Sequence, residues 1–166
     1  MSAVRLAAAL AAASLTLVPT EAEAQKNASA SSGNPWGVVN DVWVEYDVWV
    51  GDAFGMKIHV DFDVDDGLNV PSRAVAYFSY AGGEALEDFD GNYTTDDGQA
   101  SSGTDFTPIY ASANFSDLTI FMPYDELHMA PGTSDLEFYL EMYTHRDGSL
   151  IAEAGPYSFT FTQGGK

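Results

Sequence analysis

Met56-Lys57-Ile58-His59-Val60-Asp61-Phe62-Asp63-Val64-Asp65 alternates apolar and polar residues without a break. Successive side chains of a β-strand point to opposite faces. A period of two therefore puts Met56, Ile58, Val60, Phe62 and Val64 on one side and Lys57, His59, Asp61, Asp63 and Asp65 on the other. A strand with one apolar and one charged face is half buried, as in an antiparallel sheet with solvent on one side. The stretch predicts such a strand laid over a core.

The same period extends in both directions. Upstream, Val42, Val44, Tyr46, Val48 and Val50 take every second position, with Asp41, Trp43, Glu45, Asp47 and Trp49 opposite them, and Gly51 to Gly55 read as a turn. Downstream, Asp66-Gly67 ends the strand, Pro71 precedes a third strand from Arg73 to Tyr80, and Gly82-Gly83 reads as a hairpin turn. Residues 84–111 are less regular, rich in Asp, Gly, Thr and Ser, with short edge strands expected around Gln99–Phe106. Alternation returns at Leu118, Ile120 and Met122, and Pro123 to His128 predicts a single helical turn. Leu136, Phe138, Leu140 and Met142 alternate with Glu137, Tyr139, Glu141 and Tyr143. Asp147-Gly148 turns the chain, and Tyr157, Phe159 and Phe161 mark the last strand. No window keeps the helical period beyond one turn. Seven to nine strands joined by Gly, Pro and Asp turns predict an all-β antiparallel sandwich, an Ig-like Greek key, with a jelly roll as the alternative.

The first residues read differently. Arg5, the apolar run Leu6–Val18, the break at Pro19 and the small-x-small triplet Ala22-Glu23-Ala24 predict a signal peptide over residues 1–24. The apolar run is shorter than the roughly 20 residues a bilayer span needs. The expected product is secreted or periplasmic after cleavage near Ala24, with a polar lead-in over 25–35 and one sandwich domain over 36–163. The chain has no cysteine and is 46% hydrophobic and 13% aromatic, so it must be held by its core. Asn27, Asn92 and Asn114 each open an Asn-x-Ser/Thr triplet, which matters only in a eukaryotic secretory pathway, and the alanine-rich leader is of bacterial type.

Charge excludes whole classes of partner. Six Lys and Arg stand against 25 Asp and Glu, and removing Arg5, Glu21 and Glu23 with the leader leaves 5 against 23, a net −18. Nucleic acid and anionic membrane surfaces need positive charge at the contact, so neither is an expected partner. A protein or a surface polymer is. The same acidity suits metal binding, a cationic partner, or simple solubility at seawater-like ionic strength, where self-repulsion is screened.

Two groups of residues are candidates for binding. Asp61, Asp63, Asp65 and Asp66 form one acidic segment, and Asp88, Asp90, Asn92, Asp96 and Asp97 another. Calcium takes six to eight oxygen ligands from such groups, and the two segments could supply them if brought together at one end of the sandwich. The EF-hand template does not fit, because the glycine comes one position late and position 12 is Ser72. The competing reading is a solvated acidic face, with no cofactor at all. The second group is aromatic. Trp43 and Trp49, six residues apart on one strand face and so about 20 Å at roughly 3.3 Å per residue, together with Tyr139 and Tyr143, offer flat rings that could stack sugars. The competing reading is packing.

Catalysis is not expected. The chain has no cysteine nucleophile, no Gly-x-Ser-x-Gly, no His-Glu-x-x-His and no glycine-rich phosphate loop. His59, His128 and His145 are scattered, and a zinc site needs them to converge with a carboxylate. A small hydrolase built on paired carboxylates is the minor alternative.

Val42-Trp43-Val44-Glu45, Gly55 to Phe62 (GMKIHVDF), Asp105-Phe106-Thr107-Pro108 and Phe121 to His128 (FMPYDELH) together resemble a β-rich module of bacterial proteins. That module sits at the C-terminal ends of larger chains, including caspase-like peptidases and kinases, and the resemblance spans about residues 38–162. It implies an accessory, non-catalytic role and carries over no site residues. It also implies that Pro123-Tyr124 with Leu127-His128 forms a strand-ending corner, and that His59 and His128 are structural rather than ligands. The expected departure from that pattern is that the module is preceded only by the predicted leader and lead-in.

Overall fold

The computed structural model describes residues 33–164. The predicted leader and the lead-in up to residue 32 lie outside the described residues. Seven strands follow one another: β1 (Trp36–Val50), β2 (Ala53–Asp65), β3 (Ser72–Tyr80), β4 (Ser101–Phe106), β5 (Ser112–Pro123), β6 (Gly132–Thr144) and β7 (Leu150–Gln163). One 3-10 turn, Tyr124–Leu127, separates β5 from β6. They build a three-stranded sheet in the order β1-β2-β5 and a four-stranded sheet in the order β4-β3-β6-β7, with every pair antiparallel. Among the described residues no helix is long and apolar enough to cross a membrane.

The chain forms the β1–β2 hairpin, crosses to β3, returns to the first sheet for β5, and crosses again to the β6–β7 hairpin. This is an Ig-like Greek key. It differs from the constant-type arrangement in its fourth strand, which pairs with β3 at the edge of the second sheet instead of joining β1, β2 and β5. A jelly roll needs eight strands in two Greek keys, and that alternative is set aside.

The alternation in β2 is realised residue by residue: Met56, Ile58, Val60, Phe62 and Val64 are buried. They meet Ala74, Ala76 and Phe78 of β3 and Leu136, Phe138, Leu140 and Met142 of β6 in one core cluster. Phe62 stacks on Phe115 at 4.7 Å and meets Phe106 edge-on at 5.1 Å. Each large apolar side chain so enclosed contributes roughly 1.5–3 kcal/mol against the entropy of ordering the chain.

β1 departs from the simple alternation. Its register against β2 shifts between Val39 and Asp41 and again between Glu45 and Val48. The second shift is a bulge at Asp47, whose φ of 59° is tolerated best by Asp, Asn and Gly. An inserted residue exchanges the two faces beyond it. Trp43 still pairs with His59 on the outer face, but Trp49 pairs with Phe54, whose ring meets Tyr124 on the core side. The two indoles therefore do not share a strand face.

Tyr124 explains the bulge and the corner together. Its hydroxyl accepts a hydrogen bond from the Asp47 N–H at 3.1 Å, and its ring packs on Phe161 at 5.0 Å. Pro123 ends the β5 ladder just before it, and Leu127 is buried below.

Candidate functional site: a groove on the four-stranded sheet

Pairing of β3 with β6 sets Arg73 opposite Tyr143, Val75 opposite Glu141, and Tyr77 opposite Tyr139. The residues between them, Ala74, Ala76, Leu140 and Met142, are core, so these six point outward from the sandwich. Tyr77 and Tyr139 stack at 4.9 Å with ring planes 18° apart. Burial pushes the Tyr77 hydroxyl well above its ordinary value, and Tyr143 and Glu141 push it further. Tyr77, Tyr139 and Tyr143 are all half-buried. This is the floor of the site.

The wall comes from the segment between β3 and β4. Leu86 is buried in the core, and its N–H donates to the Phe78 carbonyl at 3.0 Å. Beyond it a small hairpin forms, with a bridge from Thr94 to Ala100 and the Thr95 N–H donating to the Gln99 carbonyl at 2.9 Å. The Thr95 hydroxyl donates to Asp97 inside its tip. Gln99 fastens the hairpin to β3 through the Phe78 carbonyl at 3.0 Å. Asn92, Asp96 and Asp97 thus stand beside the tyrosine floor and enclose a groove of about 620 Å³. Its far edge is Arg73, held by Asp105 at 2.6 Å and reaching the Gly103 carbonyl at 3.3 Å.

The groove unites residues from both sequence-derived groups. Asn92, Asp96 and Asp97 belong to the acidic set and Tyr139 and Tyr143 to the aromatic set, and all five line it. Tyr77, Glu141 and Arg73 line it too and are not among the sequence-derived candidates. The regular spacing from Arg73 to Tyr77 was the one available sign, because it places Tyr77 on the same strand face as Arg73.

The other acidic residues lie elsewhere. Asp65 and Asp66 sit where β2 ends, Asp65 opposite Trp36 and Ser112, and the Ser112 hydroxyl donates to Asp65. Asp66 turns the chain with a φ of 57°. Asp88 and Asp90 follow the end of β3, at the opposite end of the sandwich. The two acidic segments therefore do not meet in one calcium cage. Asp61 and Asp63 lie on the outer face of β2, where Asn40 donates to both at 3.2 and 2.9 Å and Asn114 to both at 3.2 and 3.0 Å. These bonds, Asn40 first, hold the Asp63 carboxyl below its ordinary value.

The three histidines go to three different places. His59 lies under Trp43, ring centroids 4.9 Å apart and nearly parallel, with Nδ1 2.6 Å from Asp117. His145 meets Asp105 at 3.2 Å, and His128 meets Asp88 at 2.7 Å. Trp43 thus spends one ring face on an imidazole, while Trp49 is exposed beside Phe54 at the end of the hairpin.

No protein-family model matches the chain, and no curated protein matches it. Two of the solved structures to which it is similar are of bacterial proteins. One is a bacterial adhesin from Mobiluncus mulieris containing intramolecular disulfide, isopeptide and ester bond cross-links, at a TM-score of 0.40 and 12% identity over 77% of this chain. The other is catalytically inactive OgpA from Akkermansia muciniphila in complex with an O-glycopeptide substrate, at 0.39 and 18% over 79%. The chain spans 57% of the first and 29% of the second. At TM-scores below 0.5 and identities below 20%, neither likeness extends to chemistry or function.

Proposed function

We propose that this protein is an exported, non-enzymatic binding module that takes a glycan chain in the groove of the four-stranded sheet. The observation that carries the reading is the stacked Tyr77–Tyr139 pair, half exposed on a floor ringed by Asn92, Asp96, Asp97 and Glu141. Flat rings offer the apolar faces of sugars an apolar surface, and carboxylates and amides accept and donate to the hydroxyls at the rim. Its volume falls within the range of small-ligand sites, and its mostly polar lining suits a ligand rich in hydroxyls. Its charge narrows the class. Three carboxylates face one guanidinium already held by Asp105, so the fitting ligand is a neutral or amino-bearing sugar, not a uronic or sulfated one. The groove brings no histidine to its serines and threonines, which supports binding without turnover. The phrases shared with accessory modules and the predicted leader agree with an exported partner-binding role.

The test is a titration with chitohexaose, xylohexaose and cellohexaose followed by amide chemical shifts. Expected are shifts confined to Tyr77, Tyr139, Tyr143 and residues 92–97. Tyr139→Ala should weaken binding about fivefold, the worth of roughly 1 kcal/mol for one aromatic contact, and Trp43→Ala should leave it unchanged. Binding that survives Tyr77→Ala and Tyr139→Ala together would remove the groove as the site. Shifts with peptides and with none of the sugars would make the partner a protein.

A further inference from the structure

The wall of the groove is rooted in a cluster that the glycan reading does not use. Asp88 and Asp90 come from the segment after β3, Glu126 and His128 from the 3-10 turn and its end. One ligand atom from each lies within 4.8 Å of all the others. His128 Nε2 is 2.7 Å from Asp88 Oδ1, 3.8 Å from Asp90 Oδ1 and 4.0 Å from Glu126 Oε2. The Asp88 side chain is wholly enclosed.

Glu126 Oε2 is the telling atom. It is shut off from solvent and has no hydrogen-bond partner, a state that costs a carboxylate oxygen several times what it costs a neutral one. Desolvation, and then the charge of Asp90, push the Glu126 carboxyl above its ordinary value. Burial pushes Asp88 up as well, but hydrogen bonds from His128 and from the Gly91 and Asp90 N–H groups outweigh it and keep Asp88 low. Among the described residues no Lys or Arg side chain forms an ion pair with this cluster: Lys57 is placed beside Glu45, Arg73 beside Asp105 and Arg146 beside Asp147.

We propose that Asp88, Asp90, Glu126 and His128 bind one divalent first-row transition ion, of the zinc or manganese kind, which ties the groove's wall to the 3-10 turn. The imidazole decides against calcium, whose ligands are oxygens, whereas nitrogen with carboxylate oxygens suits zinc and its neighbours. Metal–ligand bonds of about 2.1 Å set tetrahedral ligand atoms roughly 3.4 Å apart. The His128–Asp88 contact opens and the wider pairs close to reach that spacing. The ion occupies the space that the orphaned Oε2 faces.

The experiment uses the untagged, EDTA-stripped chain, titrated with Zn²⁺, Mn²⁺ and Ca²⁺ by calorimetry with melting curves in parallel. Expected are one Zn²⁺ or Mn²⁺ per chain and a rise in melting temperature by mass action. Glu126→Gln keeps the shape and lowers affinity by about tenfold or more. Without metal it melts no lower than the parent, so weak binding is not unfolding. Asp90→Asn, on an exposed side chain, repeats the loss. No saturable one-to-one site, an affinity unmoved by both variants, or stabilisation by Ca²⁺ and by neither transition ion would each overturn the proposal. No sugar enters the experiment, so its failure leaves the groove reading standing.

Discussion

The two outer faces of the sandwich are built from the same kinds of residue and have become different things. The face of β1, β2 and β5 carries Asp61, Asp63 and His59 with Trp43 above it; the face of β3 and β6 carries Tyr77, Tyr139, Tyr143 and Glu141. On the first, neighbouring strands answer each group: Asn40 and Asn114 bracket the two aspartates, and Asp117 and Trp43 take the two sides of the imidazole. Asp61, Asp63 and His59 thus each have partners on their own sheet. On the second, the long segment between β3 and β4 folds back along the edge and raises a wall, so the same alternation of residues becomes a groove. Polar residues on a strand thus make a surface, and it takes a chain segment standing over them to make a site.

The comparison is broken most directly at Leu86, which fastens the wall to the core. Leu86→Ala removes a buried side chain and should cost about 2–5 kcal/mol, read as a lower denaturation midpoint. Amide exchange at residues 92–99 should then accelerate beyond the global loss of stability, while amides of β2 follow the global loss alone. Equal acceleration on both faces would mean that the wall has no anchorage of its own. A smaller effect is expected at Gly103 on β4. A Cβ there would stand 2.7 Å from the Ala74 carbonyl oxygen and 2.9 Å from Arg73 Nε. Gly103→Ala should cost about 1–3 kcal/mol through overpacking and shift Arg73 away from Asp105. The Asp105 carboxyl, held low chiefly by its bond from Arg73, should titrate higher in that variant. An unmoved Asp105 would show that the edge of the groove absorbs a methyl group without yielding Arg73.

How much of this is legible in the sequence follows from which contacts are local. β2 and β6 can be read directly, since each strand's alternation is its own burial pattern and no bulge interrupts the core positions. β1 reads as unbroken alternation through Asp47 because the valines continue on either side, and only the partner strand reveals the added residue. That is why Trp49 changes face while its spacing from Trp43 stays even. The groove needs β3 beside β6 and the wall hairpin beside both, pairings between distant segments that spacing does not encode. Tyr139 and Tyr143 can be found from one strand, whereas Tyr77 becomes significant only when it stacks on Tyr139. The cluster at His128 is hidden for the same reason. Asp88 and Asp90 look like part of an acidic loop until the 3-10 turn brings Glu126 and His128 against them.

The smallest expected effect tests whether the satisfied face owes its character to Asn40 and Asn114. Because the folded-state value of Asp63 lies below its ordinary one, its bonds favour the ionised form. The sign follows: the contribution is complete above the unfolded value near 3.9 and is lost as pH falls through the lower folded value. Asn40→Ala with Asn114→Ala should move the Asp63 titration, followed by carboxyl carbon shifts, up toward the ordinary range. The stability of the double variant should depend less on pH below about 4, while the groove's tyrosines keep their spectra. The carboxylate is solvent-exposed, so the change in stability is small and its pH dependence is the informative quantity. A titration that stays low without both amides would mean that the outer face of β2 lowers Asp63 by some other route. The contrast between a face that satisfies itself and a face left open would then have to be redrawn around Ser112 and Asp117.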